Sequence, residues 1–206
     1  MYLHHLEELA RLFGCAVHAW VLMTNHVHLL VTPKEADGAS LLMKHLGQRY
    51  VQYVNRAYRR SGTLWEGRFR SCLAQSEAYV LACYRYVELN PVRADMAAHP
   101  REYRWSSYRS NAEDKSSDLI TPHREYLRLA KDAAERRAAY RALFKSELDP
   151  ETLKETREAT NGGCALGGKR FLAQIEAAAG RRVTRGKAGR PVAATHAVSE
   201  EQADLF

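Results

Sequence analysis

Ala19-Trp20-Val21-Leu22-Met23-Thr24-Asn25-His26-Val27-His28-Leu29-Leu30-Val31-Thr32 is the stretch on which the fold turns. Val17, Ala19, Val21 and Met23 alternate with their neighbours up to Thr24-Asn25, and a second apolar run, Leu29 to Val31, follows. Alternation, a polar break and a second apolar run read as a β-hairpin over Cys15 to Thr32, with both histidines near the start of its second strand. Residues i and i+2 of a strand point to one face about 7 Å apart. Two imidazoles at that spacing can hold one divalent ion. With nine histidines in the chain, roughly 0.4 His-x-His matches arise by chance, so the setting in a hairpin adds more than the tripeptide itself.

Further along, Glu77 to Asn90 has helical spacing that stops at Asn90-Pro91, and it contains Tyr79, Tyr84 and Tyr86. Residues i and i+4 share a helix face, so Tyr86 pairs with Asn90 and Tyr84 with Glu88. Either pair sets a phenol beside an oxygen ligand, and spacing does not choose between them. A free tyrosine has a pKa of about 10 and needs a polarised electrophile to attack at neutral pH, for which a metal-bound phosphate suffices.

Working outward, Leu6, Leu9, Ala10 and Phe13 keep one apolar stripe, which predicts a first helix ending near Phe13. A second helix is expected over Ala39 to Arg59, ended by Ser61-Gly62, and a strand over Thr63 to Leu73. Residues 112–123 read as a linker and residues 124–180 as a helical extension. That extension holds an Ala-, Leu-, Arg- and Glu-rich helix from Arg124 to Lys145, a helix capped by Asp149 with Pro150 in its first turn, a break at Asn161-Gly162-Gly163, and a helix from Lys169 to Ala179.

The chain has 206 residues and a formal charge of +7, with a mass of 23.4 kDa and a pI of about 9.3. That suits one main domain with an extension, and the excess positive charge favours a polyanionic partner. Arg56, Arg59, Arg60, Arg68, Arg70, Arg85 and Arg93 surround the two motif segments and are interleaved with Tyr53, Tyr58, Trp65 and Phe69. Arginine neutralises phosphate and aromatic rings stack on unpaired bases, the combination expected for single-stranded DNA or hairpin ends. Cys15, Cys72, Cys83 and Cys164 lack the spacing of a zinc site or a disulfide framework and read as reduced and mostly buried. No leader pattern and no membrane-length apolar run is seen, so a soluble cytoplasmic protein is expected.

Four segments resemble the REP-associated tyrosine transposases of the single-tyrosine HUH transposase superfamily. They are Leu22-Met23-Thr24-Asn25-His26-Val27-His28-Leu29-Leu30, Leu64-Trp65-Glu66-Gly67-Arg68-Phe69-Arg70-Ser71, Tyr86-Val87-Glu88-Leu89-Asn90-Pro91-Val92-Arg93-Ala94 and Trp105-Ser106-Ser107-Tyr108. Their order and spacing match over residues 3–110, with a weaker likeness at Ala165-Leu166-Gly167 and Gly180-Arg181-Arg182-Val183. The resemblance implies an α+β, ferredoxin-like HUH nuclease domain over residues 1–111, an antiparallel sheet with helices on one face. It implies Tyr86 as the catalytic nucleophile, and His26, His28 and Asn90 as ligands of a divalent cation, Mg²⁺ or Mn²⁺. The implied activity is transposition by single-strand DNA cleavage and transfer through a 5′-phosphotyrosine, on a hairpin-forming repeat such as a REP element, by a monomer or homodimer. Two imidazoles and an amide leave the ion's charge uncancelled, as electrophilic activation of phosphate requires.

One departure concerns the sheet. Family members place a strand before the first helix, where this chain begins, and that strand would pair beside the one carrying the histidines. The His strand is therefore expected to have an edge that other residues or another chain must cover. An inactive DNA-binding remnant of such a transposase is the alternative function. At the other end, residues 181–206 are expected to form a disordered basic tail containing Arg181, Arg182, Arg185, Lys187 and Arg190. Its Gly189-Arg190-Pro191 resembles an AT-hook, and a nonspecific, salt-sensitive DNA-binding arm explains the same residues equally well.

Overall fold

The computed structural model describes residues 1–184; the basic positions Arg185, Lys187 and Arg190 and the AT-hook-like tripeptide lie outside the described residues. The chain opens with α1 (Tyr2–Leu12) and turns at Gly14, whose φ of 60° lies in the left-handed region that glycine adopts without strain. The antiparallel hairpin β1 (Cys15–Leu22) and β2 (Val27–Pro33) follows, then α2 (Gly38–Ala57) and α3 (Ser76–Glu88). The hairpin register pairs Ala19 with Leu30, Val21 with His28 and Leu22 with Val27.

Helices cover both faces of this sheet, not the single face expected. Trp20, Leu22, Val27, Leu29 and Val31 pack against Leu6 and Leu9 of α1 and Leu42 and Leu46 of α2. Ala19, Val21 and Leu30 pack against Val80, Tyr84 and Val87 of α3. Alternation along β2 and from Ala19 onward in β1 forces this division, and the register irregularity between Val17 and Ala19 puts Val17 on the α1–α2 side. The histidines consequently belong to the α3 side.

Thr63 to Leu73, expected as a strand, forms no element. A strand requires a partner edge, and these residues find other anchors. Trp65 lies half-buried against Tyr50, with its indole N–H donating 3.5 Å to the Gly47 carbonyl of α2, and only Ala74 makes a bridge, to Leu166. The far edge of β1 is covered instead by the chain that follows α3. Leu22 N–H donates to Trp105 O (2.9 Å), Ser107 N–H to Trp20 O (2.9 Å) and Thr121 N–H to Val17 O (2.8 Å). Among the described residues the outer edge of β2 carries no strand.

Pro91 bends the Tyr helix, where the spacing predicts a full stop. It has no N–H and its ring crowds the carbonyl four residues earlier, so α3 ends at Glu88. The helix then resumes after the single residue Leu89 as α4 (Asn90–Arg93) with proline in its first turn. A turn of 3₁₀ helix (Pro100–Glu102) and α5 (Tyr108–Ala112) complete this part. The long helix expected over Arg124 to Lys145 is two, α6 (Arg124–Leu127) and α7 (Ala133–Ala142), because the Asp132 side chain accepts from the backbone N–H groups of Ala134 and Glu135 and caps a new start. Asp149 caps α8 (Pro150–Gly162) through Thr152 N–H at 2.9 Å, as its sequence predicts. Gly163, at φ 60°, ends that helix, and α9 (Lys169–Ala179) follows.

The extension packs on α3 through a buried carboxylate. Glu88 is fully buried. Its Oε1 accepts from Ser107 Oγ (2.6 Å) and Asn111 Nδ2 (2.8 Å), and its Oε2 accepts from Tyr140 OH of α7 (2.7 Å). Ser107 Oγ also accepts from Trp20 N–H, and Asn111 Nδ2 also donates to His18 O, which brings β1 into the same network. Tyr84, Tyr108, Tyr126 and Tyr140 form the aromatic packing around it.

Burial raises the Glu88 carboxyl to about 7 against the opposing pull of its three hydrogen bonds. Its folded pKa exceeds the unfolded value of about 4.3, so its stabilising contribution is complete below that pH and is lost as the pH rises through 7. Glu88→Gln should therefore flatten this part of the stability–pH curve in urea titrations. Tyr140→Phe, which leaves one carboxylate oxygen without its donor, should cost about 1–3 kcal/mol in the same measurement.

Candidate active site

Met23 N–H donates to His26 O (2.9 Å) and closes the hairpin turn, so His26 stands just before β2 and His28 within it. The two rings lie edge to face with centroids 4.9 Å apart. His26 is exposed and its Nδ1 is 2.7 Å from Asn25 Oδ1. An Nδ1–H donated to that amide oxygen leaves Nε2 as the free lone pair, the way a partner residue orients a metal-ligating histidine. His28 is half-buried, and its pKa is lowered to about 4 by burial first, then by the nearby His26 and Arg93. It is neutral at physiological pH, as a ligand must be.

The Tyr86 ring meets His28 edge to face at 5.5 Å and is nine-tenths buried. Asn90, one turn on, donates from Nδ2 to the Tyr86 carbonyl at 3.3 Å, which leaves Oδ1 as its free ligand atom. Arg93, two turns on, lies over the Tyr86 ring, its guanidinium carbon 4.7 Å from the centroid, and donates from Nη2 to the same carbonyl at 2.6 Å. Tyr86 and Arg93 are seven residues apart, so they share one helix face across the break at Leu89.

The competing pair has a different environment. Tyr84 is fully buried, its hydroxyl accepts from His123 N–H (3.2 Å), and burial raises its pKa well above the ordinary value. Glu88 beside it serves the network described above. Neither has access to solvent or to a substrate, so the fold separates two pairs that the spacing could not.

Among the described residues no group of three or more His, Cys, Asp or Glu side chains could hold a metal ion. A cation between His26 and His28 would need the Asn90 amide and oxygens from solvent or substrate to complete its shell. The donor chemistry fits such an ion: two neutral imidazoles and one amide oxygen, with no carboxylate to neutralise its charge.

Other expected DNA contacts fall elsewhere. Arg56, Arg59 and Arg60 are exposed at the end of α2 with Tyr53 and Tyr58, of which Tyr58 is 75% exposed. Arg68 and Arg70 are exposed in the irregular segment beside Phe69, where Arg70 donates to Asn161 Oδ1 of α8 (3.4 Å). Arg181 and Arg182 are exposed after α9. All four cysteines are free, Cys15 and Cys83 buried, and burial pushes the Cys83 thiol to about 12, away from nucleophilic use. No helix of the described residues is long and apolar enough to cross a membrane.

Two imidazoles facing a tyrosine across a strand–helix contact make up the candidate site. Residues 1–90 are similar to the family described as transposase IS200 like. The matched region contains His26, His28, Tyr86 and Asn90 and ends before Arg93 and the extension. No curated protein and no solved structure matches the chain.

Removal of the His28 imidazole should weaken Mn²⁺ binding by more than the roughly tenfold loss expected for Asn25→Ala, which removes only the orienting partner of His26. The free-Mn²⁺ electron paramagnetic resonance signal reads both. Wild-type affinity in His26→Ala and His28→Ala alike would show that these rings do not form a cation site.

Proposed function

We propose that the protein is a REP-associated tyrosine transposase, a metal-dependent single-strand DNA endonuclease and strand-transferase acting on hairpin-forming repeat DNA, with Tyr86 as nucleophile. The observation that carries this reading is the Tyr86 ring held 5.5 Å from His28 by a helix whose next turn presents Asn90.

In the step assigned to it, the Tyr86 oxygen attacks a backbone phosphorus and the bond to the 3′-oxygen breaks. The strand is left with a free 3′-hydroxyl and the protein with a 5′-phosphotyrosine. The phenolic proton leaves to solvent and the departing 3′-oxygen takes one up, so the reaction is balanced and isoenergetic enough to reverse on another 3′-end. His26, His28 and Asn90 would hold the divalent cation, which when bound supplies electrophilic activation of the phosphate. The chain's own contribution is positional. Asn90 and Arg93 both bond the Tyr86 carbonyl, and Arg93 covers the ring, so the phenol reaches the phosphate from a fixed base. Arg56, Arg59, Arg60, Arg68, Arg70, Arg181 and Arg182 would hold the flanking DNA through phosphate contacts, and Tyr53, Tyr58 and Phe69 through stacking on unpaired bases.

Among the described residues no strand pairs with the outer edge of β2, which favours the second reading, a remnant that binds the same DNA without cutting it. Incubation of the protein with labelled single-stranded hairpin DNA from its own locus, with Mn²⁺ or with chelator, followed by denaturing electrophoresis, separates the two. A metal-dependent covalent adduct is expected, absent in Tyr86→Phe and retained in Tyr84→Phe. Retention in Tyr86→Phe would move the nucleophile elsewhere, and binding without any adduct would establish the remnant.

A further inference from the structure

Arg93 is more than a cover for the Tyr86 ring. Its Nη2 is engaged by the Tyr86 carbonyl, yet its Nη1 is buried and has no hydrogen-bond partner. A guanidinium donor withheld from both water and protein is costly unless a ligand supplies the acceptor. No carboxylate does so, since Arg93 forms no ion pair among the described residues.

A second positive charge lies close by. Arg157 of α8 is exposed and has no carboxylate partner among the described residues, and α8 packs against α3. Arg93 is held below its ordinary pKa, chiefly by burial; Tyr86 opposes that shift, and the charge of Arg157 adds to it. The nearest acids of the same helix are committed or differently placed: Glu155 accepts from Tyr79 OH at 3.3 Å, and Glu158 has a partner of its own. Arg157 thus adds positive charge on the α8 side of the buried Arg93 donor, and a tetrahedral oxyanion would balance both charges and take the free Nη1–H.

We propose that Arg93 and Arg157 form a phosphate-binding site beside Tyr86, which receives a phosphate of the DNA strand being cut, with α8 of the C-terminal extension supplying the second arginine. The proposal rests on the reading of Tyr86 as nucleophile. It gives the extension, which lies beyond the transposase-domain match, a direct part in seating the substrate. Arg93 is placed to touch the phosphate next to the attacking oxygen, and Arg157 to hold the same or the adjoining phosphate from the solvent side.

The test measures binding of a fluorescent single-stranded hairpin oligonucleotide from the protein's locus across a salt series, together with adduct formation on the same DNA. Removing one arginine–phosphate interaction with a single strand should make the slope of log K against log salt shallower by about 0.7. Arg157→Gln, an exposed change that leaves the core intact, is expected to show that decrease, and Lys115→Gln, an exposed lysine remote in sequence, is expected not to. Arg93→Gln should lower the adduct-forming rate by about 100-fold or more, with Arg93→Lys falling between. A wild-type slope in both Arg157→Gln and Arg93→Gln would overturn the proposal. So would an equal decrease in Lys115→Gln, since net charge alone would then account for it. If the wild-type protein binds but forms no adduct, the slopes still decide: a decrease specific to the two arginines upholds the phosphate site while the transposase reading fails, and an unchanged slope rejects both.

Discussion

The buried carboxylate of Glu88 is the constraint on which the rest of the arrangement depends. A charge or proton-bearing acid at zero exposure is tolerated only when every oxygen is satisfied, and here the three donors come from two separate parts of the chain. Ser107 and Asn111 also bond the backbone of β1, so one side chain fixes the distance between the Tyr helix and the sheet. Tyr140 ties the same point to α7. The position of Tyr86 opposite His28 follows from this bracing two residues away, and a helix held by apolar packing alone would retain more freedom to slide.

The candidate site itself is built from weak local preferences made specific by long-range contacts. The hairpin aligns two imidazoles on one face, helical spacing sets Arg93 over the phenol, and burial keeps His28 neutral. Each contribution is ordinary in isolation. Together they place a phenol, two imidazoles and an unpartnered guanidinium donor within one small region, with no carboxylate paired to that guanidinium among the described residues. Such a collection is suited to an anionic substrate that brings its own charge.

Much of this is legible in the sequence where the signal is local. Alternation locates the hairpin, helical spacing locates α1 and α3, and the Asp149-Pro150 pair locates the start of α8, because capping and periodicity are determined within a few residues. The segment from Thr63 to Leu73 has the composition of a strand, but composition does not create a partner edge. The split between α6 and α7 is masked by the helix-favouring Ala-, Leu-, Arg- and Glu-rich composition on both sides, although Asp132 is a poor interior residue and a good cap. The choice between Tyr84 and Tyr86 is invisible to spacing and depends on burial. Arg157 gives no sign at all: it is one charged residue on a polar helix face, and its relation to Arg93 is made by packing across more than sixty positions.

The edge of β1 is completed by residues that come long after it, Trp105 to Ser107 and then Thr121. On a chain growing from its N-terminus, the histidine hairpin emerges early and waits for most of the protein before its second edge is closed, and the Tyr helix waits longer still for Tyr140. Contacts so far apart in sequence make folding slow relative to local hairpin formation. The nascent protein therefore displays its histidines well before Tyr86 is braced opposite them, and the proposed site is assembled late in synthesis, after the chain has passed α7.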